Sequence, residues 1–257
     1  MHPMLNIAVR AARTAGNIIA RSFESRENLE TEIKGENDFV TKVDKEAELA
    51  IINKIQQSYP DHSFVGEESG LTQGQSDFKW IIDPLDGTTN FIKGIPHFCV
   101  SIALQHKGKL EQAVVFDPLR GELFTASRGA GAQLNGFRIR TSQRKELDGT
   151  VLATAFPFKN KAMLAESLEK FSNVYNLCGD IRRSGSAALD MAYVAAGRYD
   201  GYWEQGIKPW DVAAGELLVR EAGGLVTDFD GGHQHFANEQ IVCGNPKVVQ
   251  AIVKQLK

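Results

Sequence analysis

Several features that would settle a protein's class at once are missing here. The 257 residues include only three cysteines, Cys99, Cys178 and Cys243, far apart and with no C-x-x-C pair. That excludes a disulfide framework and a zinc knuckle, and it suits a reducing compartment, so a cytoplasmic location is expected. Charge of one sign is also lacking: 29 Lys plus Arg against 32 Asp plus Glu leave a formal charge of −3. No basic run is longer than Arg182-Arg183, which argues against direct binding of nucleic acid. No apolar run reaches the roughly 18 residues of a membrane span, and there is no internal repeat or low-complexity tract. What remains, 42% hydrophobic and 24% charged residues, is the balance of a globular body with a sizeable core.

Arg10, Arg13 and Arg21, with no acidic residue before Glu24, could be read as an organellar transit segment. Leu5, Ala8, Ala12, Ala15, Ile19 and Phe23 recur at helical spacing, however, so the segment is read as the first helix of the body. A second helix is predicted from near Thr41, with Val43, Ala47, Ile51 and Ile55 on one stripe and Pro60 beyond its end. Short β-rich pieces follow: SFVGEE, KWIID, a hairpin turning at Gly108, and a second hairpin with Asn135-Gly136 at its turn. Together they predict an antiparallel sheet. The polar stretch 141–150 divides two halves, about 1–141 and 150–257, of one domain. The second half alternates strand VLATAF, helices over 161–175 and 186–196, strand YDGYWE, a helix from Trp210 to Gly223-Gly224, strands LVTDF and IVCG, and a last helix opened by Asn245-Pro246. The class is mixed α/β in several layers, with helices on the outer faces.

The most informative string is WIIDPLDGTTNF, Trp80 to Phe91. Trp80, Ile81 and Ile82 read as a buried strand delivering Asp83 to its end; Pro84 turns the chain, and Asp86 follows on the same turn. Carboxylates without His or Cys suit a hard cation such as Mg²⁺ or Mn²⁺. Gly87-Thr88-Thr89-Asn90 then offers successive N–H groups of the kind that receive a phosphate. Taken singly, each feature also fits an ordinary capped D-P turn.

Other candidates are equally two-sided. Glu67, in GEES after the strand SFV, could point to the same place or lie in a solvated acidic loop. Asp211 sits in the first turn of a helix, where a carboxylate is favoured anyway. Thr41-x-x-Asp44 fits a capping box with Asp in place of Glu or Gln. His233 and His235 lack the spacing of an H-x-x-x-H metal pair and lie among glycines, and Gly129 and Gly131 lack a dinucleotide-binding context.

Together, DPLDGTTNF (83–91), GEES (66–69), FVTKVD (39–44) and WDVAAGELLVREAGG (210–224) resemble the inositol monophosphatase family of Mg²⁺-dependent, lithium-sensitive phosphatases. The resemblance runs nearly the whole chain. MHPMLNIAVRAAR and IRRSGSAALDMAYVAAGRYDGYWE are similar to a bacterial branch associated with antitermination of ribosomal RNA synthesis.

The resemblance implies an α/β/α/β/α sandwich in a homodimer. It implies metal ligation by Glu67, Asp83, the Leu85 carbonyl, Asp86 and Asp211. It further implies phosphate contacts from Gly87 and Thr88, activation of water by Thr88 with Asp44, and Lys34 on a mobile loop near the metals. The alcohol pocket would be lined by Ala187, Glu204 and Asp211, with Arg182 reaching substrate. Four carboxylates plus a phosphate dianion sum to about −6, which two or three Mg²⁺ would offset; Mn²⁺ could substitute and Li⁺ would inhibit.

The reaction expected is in-line attack on phosphorus by water, with no phosphoenzyme. The expected substrates are myo-inositol 1-phosphate and polyol phosphates such as glycerol 2-phosphate. A 3′-nucleotide, histidinol phosphate or fructose bisphosphate is the alternative on the same fold. The branch also implies a second kind of role, binding transcription-elongation proteins such as RNA polymerase and NusA.

Overall fold

The computed structural model describes residues 2–25, 31–35, 38–157 and 161–257, with backbone alone over 31–35 and 38–40 and at 161. Two helices open the chain, α1 (Pro3–Glu24) and α2 (Lys42–Gln56). Between them runs a ribbon that the sequence did not predict, β1 (Thr31–Gly35) antiparallel to β2 (Asp38–Thr41). Lys34 therefore lies on a strand where a loop was expected; its side chain is outside the described residues.

The first sheet holds β3 (Ser63–Gly66), β4 (Gly70–Thr72), β5 (Phe78–Asp86), β6 (Cys99–His106), β7 (Lys109–Asp117), β8 (Glu122–Ser127), β9 (Gly131–Leu134) and β10 (Phe137–Arg138). Their spatial order is β10-β9-β8-β7-β6-β5-β3-β4. The sheet is mixed rather than purely antiparallel, because β3 runs parallel to β5. The stretch expected to be a single hairpin is a three-stranded meander turning twice. Its second turn has positive φ at Asn135 and Gly136, as a two-residue hairpin loop requires. A short helix, α3 (Thr88–Lys93), leaves the end of β5.

The second sheet follows residue 150 in the order β12-β11-β13-β15-β14. Its strands are β11 (Val151–Thr154), β12 (Asp180–Arg182), β13 (Gly201–Gln205), β14 (Leu225–Thr227) and β15 (Gln240–Gly244). Its helices are α4 (Leu164–Tyr175), after a 3-10 turn at Lys161–Met163, then α5 (Ala187–Ala195), α6 (Pro209–Glu221), α7 (His235–Asn238) and α8 (Pro246–Leu256). Sequence reasoning missed β12 and placed α7 in a loop. His235 is buried there, with Nε2 at 2.9 Å from Glu216 Oε2.

The two-residue period of the strands sorts their side chains into three cores. Trp80, Ile82, Val100, Ile102 and Val114 face α1 and α2. Ile81, Cys99, Ala103, Ala113 and Val115 face α5 and α6, whose far side meets Tyr202, Ile241 and Cys243 of the second sheet. Leu152, Trp203 and Val242 point the other way, onto Val248 and Ile252 of α8 and Val174 of α4. The layers are therefore α1/α2, first sheet, α5/α6, second sheet, α4/α8, the α/β/α/β/α order expected. The middle helices lie close together because their contact is small: a Cβ at Gly215 would come within 2.6 Å of Met191 Cβ. Among the described residues no helix is long and apolar enough to cross a membrane.

Candidate active site

Pro84 cannot donate to a sheet ladder, and the register between β5 and β6 slips between Asp83 and Asp86. The bulge holds both carboxylates at the strand's end while leaving Leu85 buried. Asp83 Oδ1 accepts the Leu85 N–H at 3.0 Å. The chain then turns through Gly87, at φ 102°, where a Cβ would also lie 3.0 Å from the His97 carbonyl. Glycine is required there on both counts. Asn90 ties the new helix down by donating to His97 O at 2.8 Å and Ser184 O at 2.9 Å.

Asp44 caps its helix and also meets Thr88. Its Oδ2 accepts from Thr41 N–H at 2.9 Å and Thr41 Oγ1 at 2.6 Å, completing the capping box of α2. Its Oδ1 is 3.1 Å from Thr88 Oγ1, which is also 3.0 Å from the Leu85 carbonyl; the single hydroxyl proton can serve one of them at a time. Burial pushes the Asp44 carboxyl up, against the hydrogen bonds from Thr41 and Thr88.

The other carboxylates converge from distant parts of the chain. Burial raises Asp83 well above the ordinary carboxylate range. The charges of Glu67, Asp86 and Asp211 and a hydrogen bond shared with Glu67 push it the same way. Asp86 is pushed up to about 6 by burial, although Ser186 Oγ and the Ala188 N–H each donate to its Oδ2 at 2.7 Å. Asp211, in the first turn of α6, accepts the Lys208 N–H at 2.6 Å. Burial still raises it well above its ordinary value, helped by the charges of Asp86, Glu204 and Glu67. Glu204, at the end of β13, is pushed up to about 7 by burial; the Tyr202 hydroxyl bonded to it and the charge of Arg183 oppose the rise. Ala187 stands beside these groups in the first turn of α5, directly after the capping Ser186.

The donors Glu67, Asp83, Asp86, Asp211 and the Leu85 carbonyl are all oxygens, and the raised proton affinities of Asp83, Asp86 and Asp211 mark negative charge short of a counter-ion. Both properties fit a hard divalent cation. Among the described residues no three His, Cys, Asp or Glu side chains already form a tight metal-binding group; the four carboxylates act on one another across a cleft.

The two neighbouring arginines have different partners. Arg182 Nη1 reaches Asp180 Oδ2 at 2.5 Å, both side chains being about half exposed. Arg183 is the one whose charge acts on Asp86, Glu204 and Asp190, and its Nη1 would lie 3.0 Å from a Cβ at Gly185. Sequence reasoning also passed over the contact of Ser186 with Asp86, the side-chain ties of Asn90, and the buried Glu48, whose oxygens accept the Glu68 and Ser69 N–H groups at 3.0 and 2.8 Å. For Glu48 a faint signal existed, since it falls one helical turn after Asp44 on the same face.

A layered sandwich with acidic side chains gathered at the end of a bulged strand, with α3, α5 and α6 all starting there, has the architecture of a phosphatase. The chain matches the inositol monophosphatase family over residues 1–257 and belongs to it. It is 59% identical to the Nus factor SuhB of Escherichia coli K12 over 258 residues, covering 100% of this chain and 97% of that protein. The crystal structure of the extragenic suppressor protein SuhB from Bartonella henselae superposes with a TM-score of 0.97 at 43% identity, covering 100% and 99% of the two chains. The inositol monophosphatase of Anabaena superposes with a TM-score of 0.88 at 38% identity, covering 98% and 94%.

Proposed function

We propose that this protein is a Mg²⁺-dependent phosphomonoesterase that hydrolyses myo-inositol 1-phosphate and related polyol phosphates such as glycerol 2-phosphate. The observation that carries the reading is the β5 bulge. It presents Asp83 and Asp86 beside Glu67 and Asp211 and turns at once into the Gly87-Thr88 helix start. Family membership supports it.

Glu67, Asp83, Asp86, Asp211 and the Leu85 carbonyl would hold two to three Mg²⁺ ions, which supply the positive charge that lets a phosphate dianion enter and that acidifies the attacking water. Gly87 and Thr88 give backbone N–H groups to the phosphate. Thr88 Oγ1, when its proton points to Asp44 Oδ1, has lone pairs left to accept from water. Buried Asp44, with its raised proton affinity, is a better terminal base for that relay than an exposed aspartate. Ala187, Glu204 and Asp211 orient the alcohol, and Arg183 takes the place first given to Arg182. No Ser, Cys or His in the cleft is needed as a nucleophile, so the product forms without a phosphoenzyme.

The test is phosphate release from inositol 1-phosphate with Mg²⁺, with excess chelator, with Mn²⁺ and with added Li⁺. The reading requires activity with Mg²⁺ or Mn²⁺ and its loss in the other two; full turnover in chelator would refute it. Release from histidinol phosphate, fructose bisphosphate or a 3′-nucleotide faster than from inositol 1-phosphate would move the substrate but keep the chemistry.

The name of the Escherichia coli relative, a Nus factor, supports a second role, binding of transcription-elongation proteins such as RNA polymerase or NusA; that reading goes with a cytoplasmic homodimer. Rescue of a deletion strain by Asp83→Asn would place that role above hydrolysis, and failure to rescue would place it below.

A further inference from the structure

Glu67 is gripped through its backbone from two directions. On one side its N–H donates to the Ile82 carbonyl at 3.1 Å, one residue before Asp83. On the other, the next two residues are held by α2: Glu48 Oε2 accepts the Glu68 N–H at 3.0 Å and Glu48 Oε1 accepts the Ser69 N–H at 2.8 Å. Glu48 is 2% exposed, and Gly66 lies directly against it: a Cβ there would fall 2.3 Å from Oε2. Position 66 therefore has no room for a side chain unless Glu48 lets go.

We propose that Glu48 is a positioning residue whose two-pronged hold on Glu68 and Ser69 fixes Glu67 opposite Asp83 and so sets the affinity of the site for a divalent cation. The inference rests on Glu67 and Asp83 being ligands. Backbone N–H groups held by a carboxylate make shorter, stronger bonds than neutral pairs, and groups that orient a ligand are worth about 10- to 100-fold in metal affinity when lost. Asp44 and Glu48 lie four residues apart on α2, hence on one face. Asp44 fixes the Thr88 end of the cleft and Glu48 fixes the Glu67 end. One helix thus gauges the distance between the group that handles water and the group that helps hold the ion.

The experiment compares the full-length protein with Glu48→Gln and Gly66→Ala. Glu48→Gln turns one acceptor into a donor facing an N–H; Gly66→Ala drives Glu48 off its partners. Mn²⁺ alone is titrated into each without substrate, followed by paramagnetic resonance or calorimetry. In parallel, the Mg²⁺ concentration for half-maximal phosphate release is measured. Both variants are expected to bind Mn²⁺ about 10- to 100-fold more weakly and to shift the Mg²⁺ midpoint alike, with KM for inositol 1-phosphate at saturating Mg²⁺ changed by less than about threefold.

A merely structural Glu48 would lower the melting temperature and leave the Mn²⁺ affinity of the folded protein unchanged, and that result overturns the proposal. Should neither variant fold, hydrogen exchange on the metal-free wild type decides. Strong protection of the Glu68 and Ser69 amides supports the hold, and exchange at the rate of open loop overturns it. A wild type that binds Mn²⁺, loses affinity in Glu48→Gln and still releases no phosphate supports this inference while sinking the functional reading.

Discussion

On the wall of the cleft built from residues 41–101, the acids other than Asp86, which Ser186 and Ala188 of the opposite wall hold, are held by donors a few residues away or on the adjoining element. Thr41 and Thr88 hold Asp44, the Leu85 N–H holds Asp83, and Glu48 holds the turn that carries Glu67. On the wall built from residues 182–211 the acids have fewer such partners. The Asp190 carboxyl, raised well above its ordinary value chiefly by burial, leaves Oδ1 without a hydrogen bond, and Glu204 answers to Tyr202 and to the charge of Arg183. The first wall is a fixed frame suited to an ion that needs set distances. The second is tuned by charge, which suits recognition of a polar substrate.

The largest test of that contrast is Asp83→Asn. With Asp83 a ligand, as proposed, its loss from the fixed wall would remove several kcal/mol of charge stabilisation, so Mg²⁺-dependent phosphate release should drop about a thousandfold or more; a tenfold loss would mean the frame is not where the ions sit. Next, Ser186→Ala removes a hydroxyl from Asp86, where the two walls join, and should lower kcat about tenfold. An unchanged kcat would show that the Ala188 N–H suffices. On the charge-tuned wall, Arg183→Ala should raise KM about tenfold, whereas Arg182→Ala, paired outward with Asp180, should change it less than twofold. The reverse pattern in steady-state kinetics would reinstate Arg182.

The smallest effect expected is a slope in stability with pH. A carboxyl raised on folding, such as Glu204 at about 7, favours the folded state while protonated. The contribution is whole below the unfolded value of about 4.5 and is lost as pH rises through 7. Melting of the metal-free protein should therefore fall between pH 5 and 8, with Glu204→Gln flattening the slope. A variant with the wild-type slope would free Glu204 of that role.

The first wall was the more legible one. Strand, turn and helix start follow each other within 80–91, so the apolar run, the proline and the two aspartates could be read as one device. The layer order came from the family resemblance; periodicity alone gave the first two helices, while α6 is buried along most of its length and shows no single apolar stripe. Glu48 was not legible, because its partners lie twenty and twenty-one residues further on and a glutamate on a helix carries no local signature. The different surroundings of Arg182 and Arg183 were not legible, because they follow from β12, a three-residue strand too short to show a period. Lys34 was placed on a loop by the family resemblance, and β1 and β2, of five and four residues, are too short to have signalled their pairing.

The small-residue middle layer also governs how the molecule is made. The eight-stranded sheet is complete once Arg138 has emerged, but α5 and α6, which cover one of its faces, are not complete until Glu221. At ribosomal speeds that gap of roughly 80 residues lasts about 4 to 16 s. Through that interval Ile81, Val115 and Phe124 have no native cover. A nascent chain of this design therefore spends seconds with a sticky sheet face open to chaperones or to its neighbours, and slowing translation across 139–221 lengthens that exposure.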